Sequence, residues 1–166
     1  WRVEFGSAWS AVLALSNGTS EYIQRGEDLN QYFTIGDYIL TKIIKVTNQK
    51  LTDITMKGPG LRRLGNGRIV EVNTNKVPRV IGKQGSMVSM IKNATDCRVI
   101  VGQNGLVWVQ GEPANELLVE EVIKKIEAES HKSGLTDTIK AYLEKKTGKK
   151  IEEKPAQPPQ EGRDQK

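Results

Sequence analysis

The side chains from which metal centres and nucleophilic triads are built are scarce in this sequence. It has one cysteine, Cys97, and one histidine, His131. A single cysteine excludes a disulfide within the chain and a cysteine-based zinc site, and we expect Cys97 to be a small buried thiol beside a strand. There is also no Ser/His/Asp set and no phosphate-loop signature. We therefore expect no catalytic residue, no metal and no cofactor.

Long hydrophobic runs are absent as well. No stretch approaches the roughly 20 apolar residues that cross a bilayer, and the opening WRVEFGSAW lacks the basic and apolar regions of a signal peptide. With one thiol and no such segment, we expect a cytoplasmic protein without membrane contact. Asp37 and Asp53 would be the carboxylates of a metal pair, but each lies in a turn-like context where capping is commoner.

Positive charge is unevenly distributed along the chain. The formal net charge is +5, yet residues 57–111 alone hold nine Lys/Arg against two Asp/Glu, a net charge of +7. Residues 1–56 hold five against six, a net charge of −1. Such a concentration is typical of a phosphate-binding surface, and a solvated basic face is the alternative.

The first third of the chain predicts short strands. The segments RVEF, SAVLAL, DYILTKIIKV and TDITMKG are rich in β-branched and apolar residues, and Gly/Asn clusters separate them. Several short strands closed by such turns favour a small OB-type antiparallel β-barrel over residues 1–62. Because the chain opens directly on strand-like sequence, we expect the barrel to be truncated at its N-terminus by one strand.

From Arg68 the pattern becomes β-α-α-β-β-α. RIVEV predicts a strand, KVPRVI and SMVSMIKNA predict two short helices, and RVIVGQNGLVWVQ predicts a hairpin around Asn104 and Gly105. Pro113 then begins a long helix. This pattern predicts an α+β domain over residues 66–130.

Residues 131–166 are predicted to form a C-terminal helical extension followed by a flexible tail. Leu135, Ile139 and Leu143 recur every four residues, as on the apolar face of a helix. The ending EEKPAQPPQEGRDQK has the composition of a segment that cannot bury a core.

The glycine pair of VIGKQGSM separates the two short helices. Glycine is unfavourable inside a helix, so the pair predicts either a tight packing turn or a close approach of the backbone to a ligand. At a helix N-terminus, main-chain N–H groups and the helix dipole favour anions, Lys83 adds charge and Gln84 adds a donor.

This arrangement resembles the KH RNA-binding domain from Arg68 to about Glu129, in which a GxxG turn clamps about four nucleotides. The resemblance implies that Met87 and Ile91, with Ile81, line the core or the floor beneath the bases. It assigns RNA contact to Arg79, Ile81, Gly82, Lys83, Gln84 and Gly85.

In the first segment, FTIGDYILTKIIKV and DITMKGPG resemble the S-one RNA-binding domain, an OB-type barrel in which Gly-Asp precedes a long strand. Barrels of this type bind single strands with exposed aromatic side chains and a basic rim. The expected basic contacts are Lys42, Lys45, Lys57, Arg62, Arg63 and Arg68. The candidate stacking residues are Trp1, Trp9, Tyr22, Tyr32 and Phe33, with Trp9 and Tyr38 expected to lie half in the core.

One barrel followed by one KH domain and by SGLTDTIKAYLE resembles the RNA-binding cap subunit of the archaeal exosome. The resemblance implies a non-catalytic subunit that binds single-stranded RNA. It also implies three such caps on a hexameric ring of RNase PH-like subunits, guiding 3′ ends inward for degradation or polyadenylation. Two alternatives remain open: a transcription or translation factor with the same domains, and a scaffold whose KH domain docks proteins.

Overall fold

The chain forms two units, each with its own hydrophobic core. The computed structural model describes residues 1–6, 9–19, 21–47 and 51–151. The first unit ends at Gly67 and the second begins at Arg68, close to the predicted domain start at residue 66. Within the described ranges, no helix is long and apolar enough to cross a membrane.

The first unit consists of short strands with two single helical turns between them. Four strands form a mixed sheet in the order β1-β2-β5-β4, and β3 and β6 form a separate antiparallel ribbon. The elements are β1 (Arg2–Val3), β2 (Ser10–Leu13), α1 (Leu15–Gly18), a 3₁₀ turn (Leu29–Gln31), β3 (Ile39–Leu40), β4 (Lys42–Val46), β5 (Leu51–Thr55) and β6 (Arg62–Arg63).

Two details of this unit differ from the prediction. The segment DYILTKIIKV is interrupted at Thr41 instead of running as one long strand, because β3 pairs with β6 whereas β4 pairs with β5. A strand that changes partner must bend, as strands do at the corners between two sheets. The pairing of β2 with β5 is parallel, with Ser10 opposite Leu51, so the strands are not all antiparallel.

The core of the first unit is small. Its buried centre is Ala11, Leu13 and Ile54, each at most 3% exposed. Half-buried apolar side chains surround this centre, and the rings of Trp1 and Phe33 meet edge to face with centroids 5.0 Å apart. Such a pair adds a geometric preference to the burial of two large rings.

The second unit has the predicted β-α-α-β-β-α order. Its antiparallel sheet runs β7-β9-β8, and the hairpin between β8 and β9 turns at Gly105, whose φ is +85°. Cys97 is buried beside β8, as expected. The elements are β7 (Arg68–Glu71), α2 (Val77–Ile81), α3 (Ser86–Thr95), β8 (Arg98–Val101), β9 (Leu106–Gln110), α4 (Pro113–Ala128) and α5 (Leu135–Thr147).

The C-terminal helix α5 is part of the core of the second unit. All three of its predicted apolar residues are buried in the same cluster as the sheet and α4. After α5, Ile151 joins that cluster and its N–H donates to the Glu144 carboxylate at 3.0 Å, while Lys149 pairs with Asp96 beyond α3. The extension therefore completes the domain. The predicted flexible tail from residue 152 lies outside the described residues.

Replacing Ile139 by alanine tests whether α5 belongs to this core. Ile139 is 0% exposed, so Ile139→Ala should lower the free energy of unfolding by about 3 kcal/mol. Lys145→Ala, at an exposed site of the same helix, should change it by no more than about 0.5 kcal/mol. Urea unfolding followed through Trp108 in β9 measures both, and an unchanged midpoint for Ile139→Ala would show that α5 folds apart from the sheet.

Candidate nucleic-acid interface

The turn between α2 and α3 is built from backbone conformations that few residues adopt. α2 ends where the Gly82 N–H donates to the Pro78 carbonyl at 2.9 Å. Gly82, Gln84 and Gly85 then have φ values of +76°, +53° and +77°. A left-handed backbone conformation costs residues that have a Cβ atom about 1–2 kcal/mol. Gln84 is therefore a strained position inside an exposed turn.

The two glycines are required for different reasons. A Cβ atom on Gly82 would lie 2.6 Å from the Cβ of Met87 and 2.7 Å from its backbone nitrogen. A Cβ on Gly85 would meet only Val88, at 4.0 Å. Gly82 therefore allows the first turn of α3 to pack against the end of α2, whereas Gly85 is required by its backbone angle alone.

The N-terminus of α3 has a charge and a backbone geometry that favour an anion. Gly85 occupies the N-cap position, no side chain caps the helix there, and the first turn has no acidic residue. The first N–H groups of a helix have no partner within the helix, and the dipole makes this end positive. Here the Gly85 and Ser86 N–H groups donate to the Gly82 and Lys83 carbonyls of the preceding turn. Gly85 in the left-handed region followed by Ser86 in the right-handed helical region is a conformation that directs successive N–H groups to one side.

The charges around this turn also favour an anion. No Asp or Glu occurs between Glu71 and Asp96. Arg79 in the last turn of α2 and Lys83 in the loop are both exposed. In the part of the chain that the structure describes, neither forms an ion pair. Both cations therefore remain available to a phosphate beside the helix end.

The apolar residues predicted beside the turn divide into two groups. Met87 is 3% exposed and Ile91 is 0% exposed, so both belong to the core. Ile81, at the end of α2, is half-buried. Of the three, Ile81 has surface left to contact a base.

The predicted basic contacts of the first unit differ in availability. Lys42 and Lys45 lie on β4, an edge strand whose residues are all exposed, and Lys57 and Arg62 are exposed as well. Arg63, by contrast, is held by the Asp37 carboxylate at 2.6 Å. The site assignments stay predictions, and this pairing means that a phosphate would have to compete with Asp37 for Arg63.

Arg68 at the start of β7 is also paired, because its guanidinium lies 3.1 Å from the Glu120 carboxylate of α4. Both partners are partly exposed, with side-chain exposures of 41% and 37%. Exposed ion pairs contribute little to stability. The pair nevertheless reduces the positive charge that Arg68 offers to a phosphate.

The predicted stacking residues are unequally exposed. Trp1 and Phe33 are half-buried against each other, and the Tyr32 hydroxyl donates to Glu27 at 2.9 Å. Tyr22 is 88% exposed and Trp9 is 38% exposed. Tyr38, which was expected to lie half in the core and was not among the candidate stacking residues, is 50% exposed. The alternation of Asp37 and Ile39 with Tyr38 and Leu40 shows that the two pairs lie on opposite faces of a strand. Which face is exposed became clear only once the partner strand was known.

Asp37 serves a turn, in agreement with the expectation, whereas the turn context expected for Asp53 is wrong because that residue lies inside β5. Its carboxylate accepts the Thr34 N–H at 2.7 Å and also faces Arg63. The Thr34 N–H is the main cause that lowers the pKa of Asp37, and Arg63 acts in the same direction. Across the described ranges, no group of three or more His, Cys, Asp or Glu side chains is arranged to hold a metal.

Comparison with known proteins agrees with this geometry. Residues 67–115 match the KH domain family. The chain is 42% identical over 148 residues to the exosome complex component Rrp4 of Picrophilus torridus. The matched region covers 89% of the chain and 64% of the relative. It is 44% identical over 147 residues to that of Pyrococcus furiosus, covering 86% of the chain and 56% of the relative.

A solved structure gives a match over most of both chains. A crystal structure of a protein assigned as an exosome complex RNA-binding protein superimposes with a TM-score of 0.79 and 31% identity. The match covers 87% of this chain and 84% of that one. The chain belongs to this family of exosome RNA-binding proteins. Compared with the Rrp4 family members of P. torridus and P. furiosus, it spans 64% and 56% of their length.

Alanine substitutions separate the two glycine roles in this family member. Gly85→Ala should lower the free energy of unfolding by about 1 kcal/mol, the penalty of its left-handed backbone. Gly82→Ala should cost more than about 2 kcal/mol, because φ +76° with ψ 173° is a backbone conformation essentially restricted to glycine and the new Cβ would also overlap Met87. Urea unfolding of both variants against the parent measures the difference. Equal costs would contradict the close approach of α3 to Gly82.

Proposed function

We propose that this chain binds single-stranded RNA as a non-catalytic cap subunit of an archaeal exosome in the cytoplasm. The observation that carries the proposal is the uncapped N-terminus of α3, presented by the GxxG turn beside two exposed cations. A phosphodiester supplies the negative charge and acceptor oxygens that such a helix end attracts. The backbone there carries no base-reading group, so the contact positions the RNA and does not select its sequence.

The proposed partners are a hexameric ring of RNase PH-like subunits, with three caps on each ring. The names of the relatives support this assignment, since each is called a component of the exosome complex. In this arrangement the cap guides RNA 3′ ends into the ring, where degradation or polyadenylation takes place. A transcription or translation factor would use the same domain types, but the relatives found here favour the exosome.

Two aspartates in the GxxG turn test the RNA contact. Lys83→Asp with Gln84→Asp keeps both glycines and places two carboxylates where a phosphate is expected. Asp is tolerated in the left-handed region, so position 84 can keep its conformation. Like charge opposes the phosphate and cancels the attraction of the helix end. We expect affinity for an unstructured RNA to fall at least about tenfold, similarly for different sequences, as measured by fluorescence anisotropy.

A matched control carries the same change in net charge elsewhere on the second unit. Thr136→Asp with Lys145→Asp alters two exposed positions of α5 and should leave RNA affinity within about twofold. Circular dichroism establishes that both variants fold. If the two double variants bind RNA equally well, the glycine pair is a packing turn and the proposed site is wrong.

A further inference from the structure

The ribbon formed by β3 and β6 has two distinct faces. Ile39 lies opposite Arg63, and Leu40 lies opposite Arg62. The Leu64 N–H donates to the Tyr38 carbonyl at 2.8 Å, which places those two residues side by side at the end of the ribbon. Because side chains alternate along a strand, the ribbon divides into an inner and an outer face.

The inner face packs on the core of the first unit. Ile39 contacts the Ala11–Leu13–Ile54 cluster, and Arg63 on the same face reaches Asp37. The outer face therefore carries Tyr38, Leu40, Arg62 and Leu64. Leu40 and Leu64 are half-buried, Arg62 is exposed, and Tyr38 keeps 50% of its surface exposed. Residues on diagonal positions of a strand pair are about 7–8 Å apart, within reach of aromatic and long side chains.

Tyr38 is fixed on both sides by hydrogen bonds. Before it, the Asp37 N–H donates to the Thr34 carbonyl at 3.1 Å, and the Asp37 carboxylate accepts from Thr34 and pairs with Arg63. Beside it, Leu64 anchors the Tyr38 carbonyl. Because the backbone that carries this ring is already ordered, a ligand that stacks on the ring loses little binding free energy to ordering it.

The charge of this segment indicates the class of ligand. The outer face has no acidic side chain, and residues 57–68 contain four Lys/Arg and no Asp or Glu. In the described part of the chain, Arg62 forms no ion pair. An exposed aromatic ring beside a free arginine on an apolar floor suits a nucleic-acid base with its phosphate, because every base offers a π face.

We propose that Tyr38 and Arg62 form a base-stacking site for single-stranded RNA on the outer face of the β3–β6 ribbon. The proposal rests on the proposed RNA-binding function and adds a contact in the first unit. Tyr38 stacks on one base, and Arg62 contacts the adjoining phosphate. A protein partner that bound this face instead would need an apolar pocket lined with acidic groups.

A strand that lacks bases distinguishes a stacking contact with a base from an electrostatic contact with a phosphate. The probes are an oligouridylate of about 12 nucleotides, within the range that OB-type barrels occupy, and an abasic strand of equal length. Tyr38→Ala should weaken oligouridylate binding about tenfold and leave abasic binding unchanged, whereas Tyr38→Phe should retain the parent affinity. Ile35→Ala, which truncates a fully exposed apolar side chain of the same unit that has no assigned RNA contact, is the control and should have no effect. Arg62→Gln should weaken both probes.

Three results would overturn the proposal. An unchanged oligouridylate affinity for Tyr38→Ala overturns it, and weaker association with RNase PH-like ring subunits in that variant would instead identify a protein contact. Equal loss on both probes also overturns it, because stacking needs a base. If the parent chain binds neither probe, the proposed RNA-binding function itself is wrong. The first two results would leave that function intact.

Discussion

The shape of the second unit at the α2–α3 turn depends on the absence of a side chain at Gly82. Without a Cβ there, the backbone nitrogen of Met87 lies 2.7 Å from the place that atom would occupy, so α3 begins directly against the end of α2. Any larger residue would push the two helices apart. The close approach places the N-terminus of α3, which no side chain caps, directly after the loop that carries Lys83. A packing constraint thus accompanies the electrostatic feature that suits a phosphate, so the packing explanation of the glycine pair is compatible with the proposed ligand contact.

The rest of the second unit holds that helix end in place. α3 buries Met87 and Ile91 against the sheet and α4, and α5 closes the same core with Ile139 and Leu143. Salt bridges contribute little to this arrangement because most are exposed. The buried side chains therefore supply most of the rigidity, and α5 belongs to the binding domain through its core contacts.

The sequence was sufficient to predict the elements of the second unit because strong local signals mark them. Asn104 and Gly105 mark the hairpin, Pro113 marks the start of α4, and Ile139 lies on an apolar stripe. The strand pairing of the first unit was harder to predict, because its strands are short and many of its paired strands are far apart in the sequence. Nothing in DYILTKIIKV shows that the chain changes partner at Thr41. The pairing of Arg63 with Asp37 and the place of Tyr38 on the outer face of the ribbon depend on that same register, and so neither was predicted.

Backbone amide shifts measured during an RNA titration test the central claim most directly. In a two-dimensional ¹H–¹⁵N spectrum, an unstructured RNA should perturb the amides from Lys83 to Val88 most strongly within the second unit, because the proposed phosphate contact lies at this turn. The amides of α5 should change little, since that helix supports the site from the core. Strong shifts confined to α5 or to the β7 edge, with the Lys83–Val88 amides unmoved, would contradict the account.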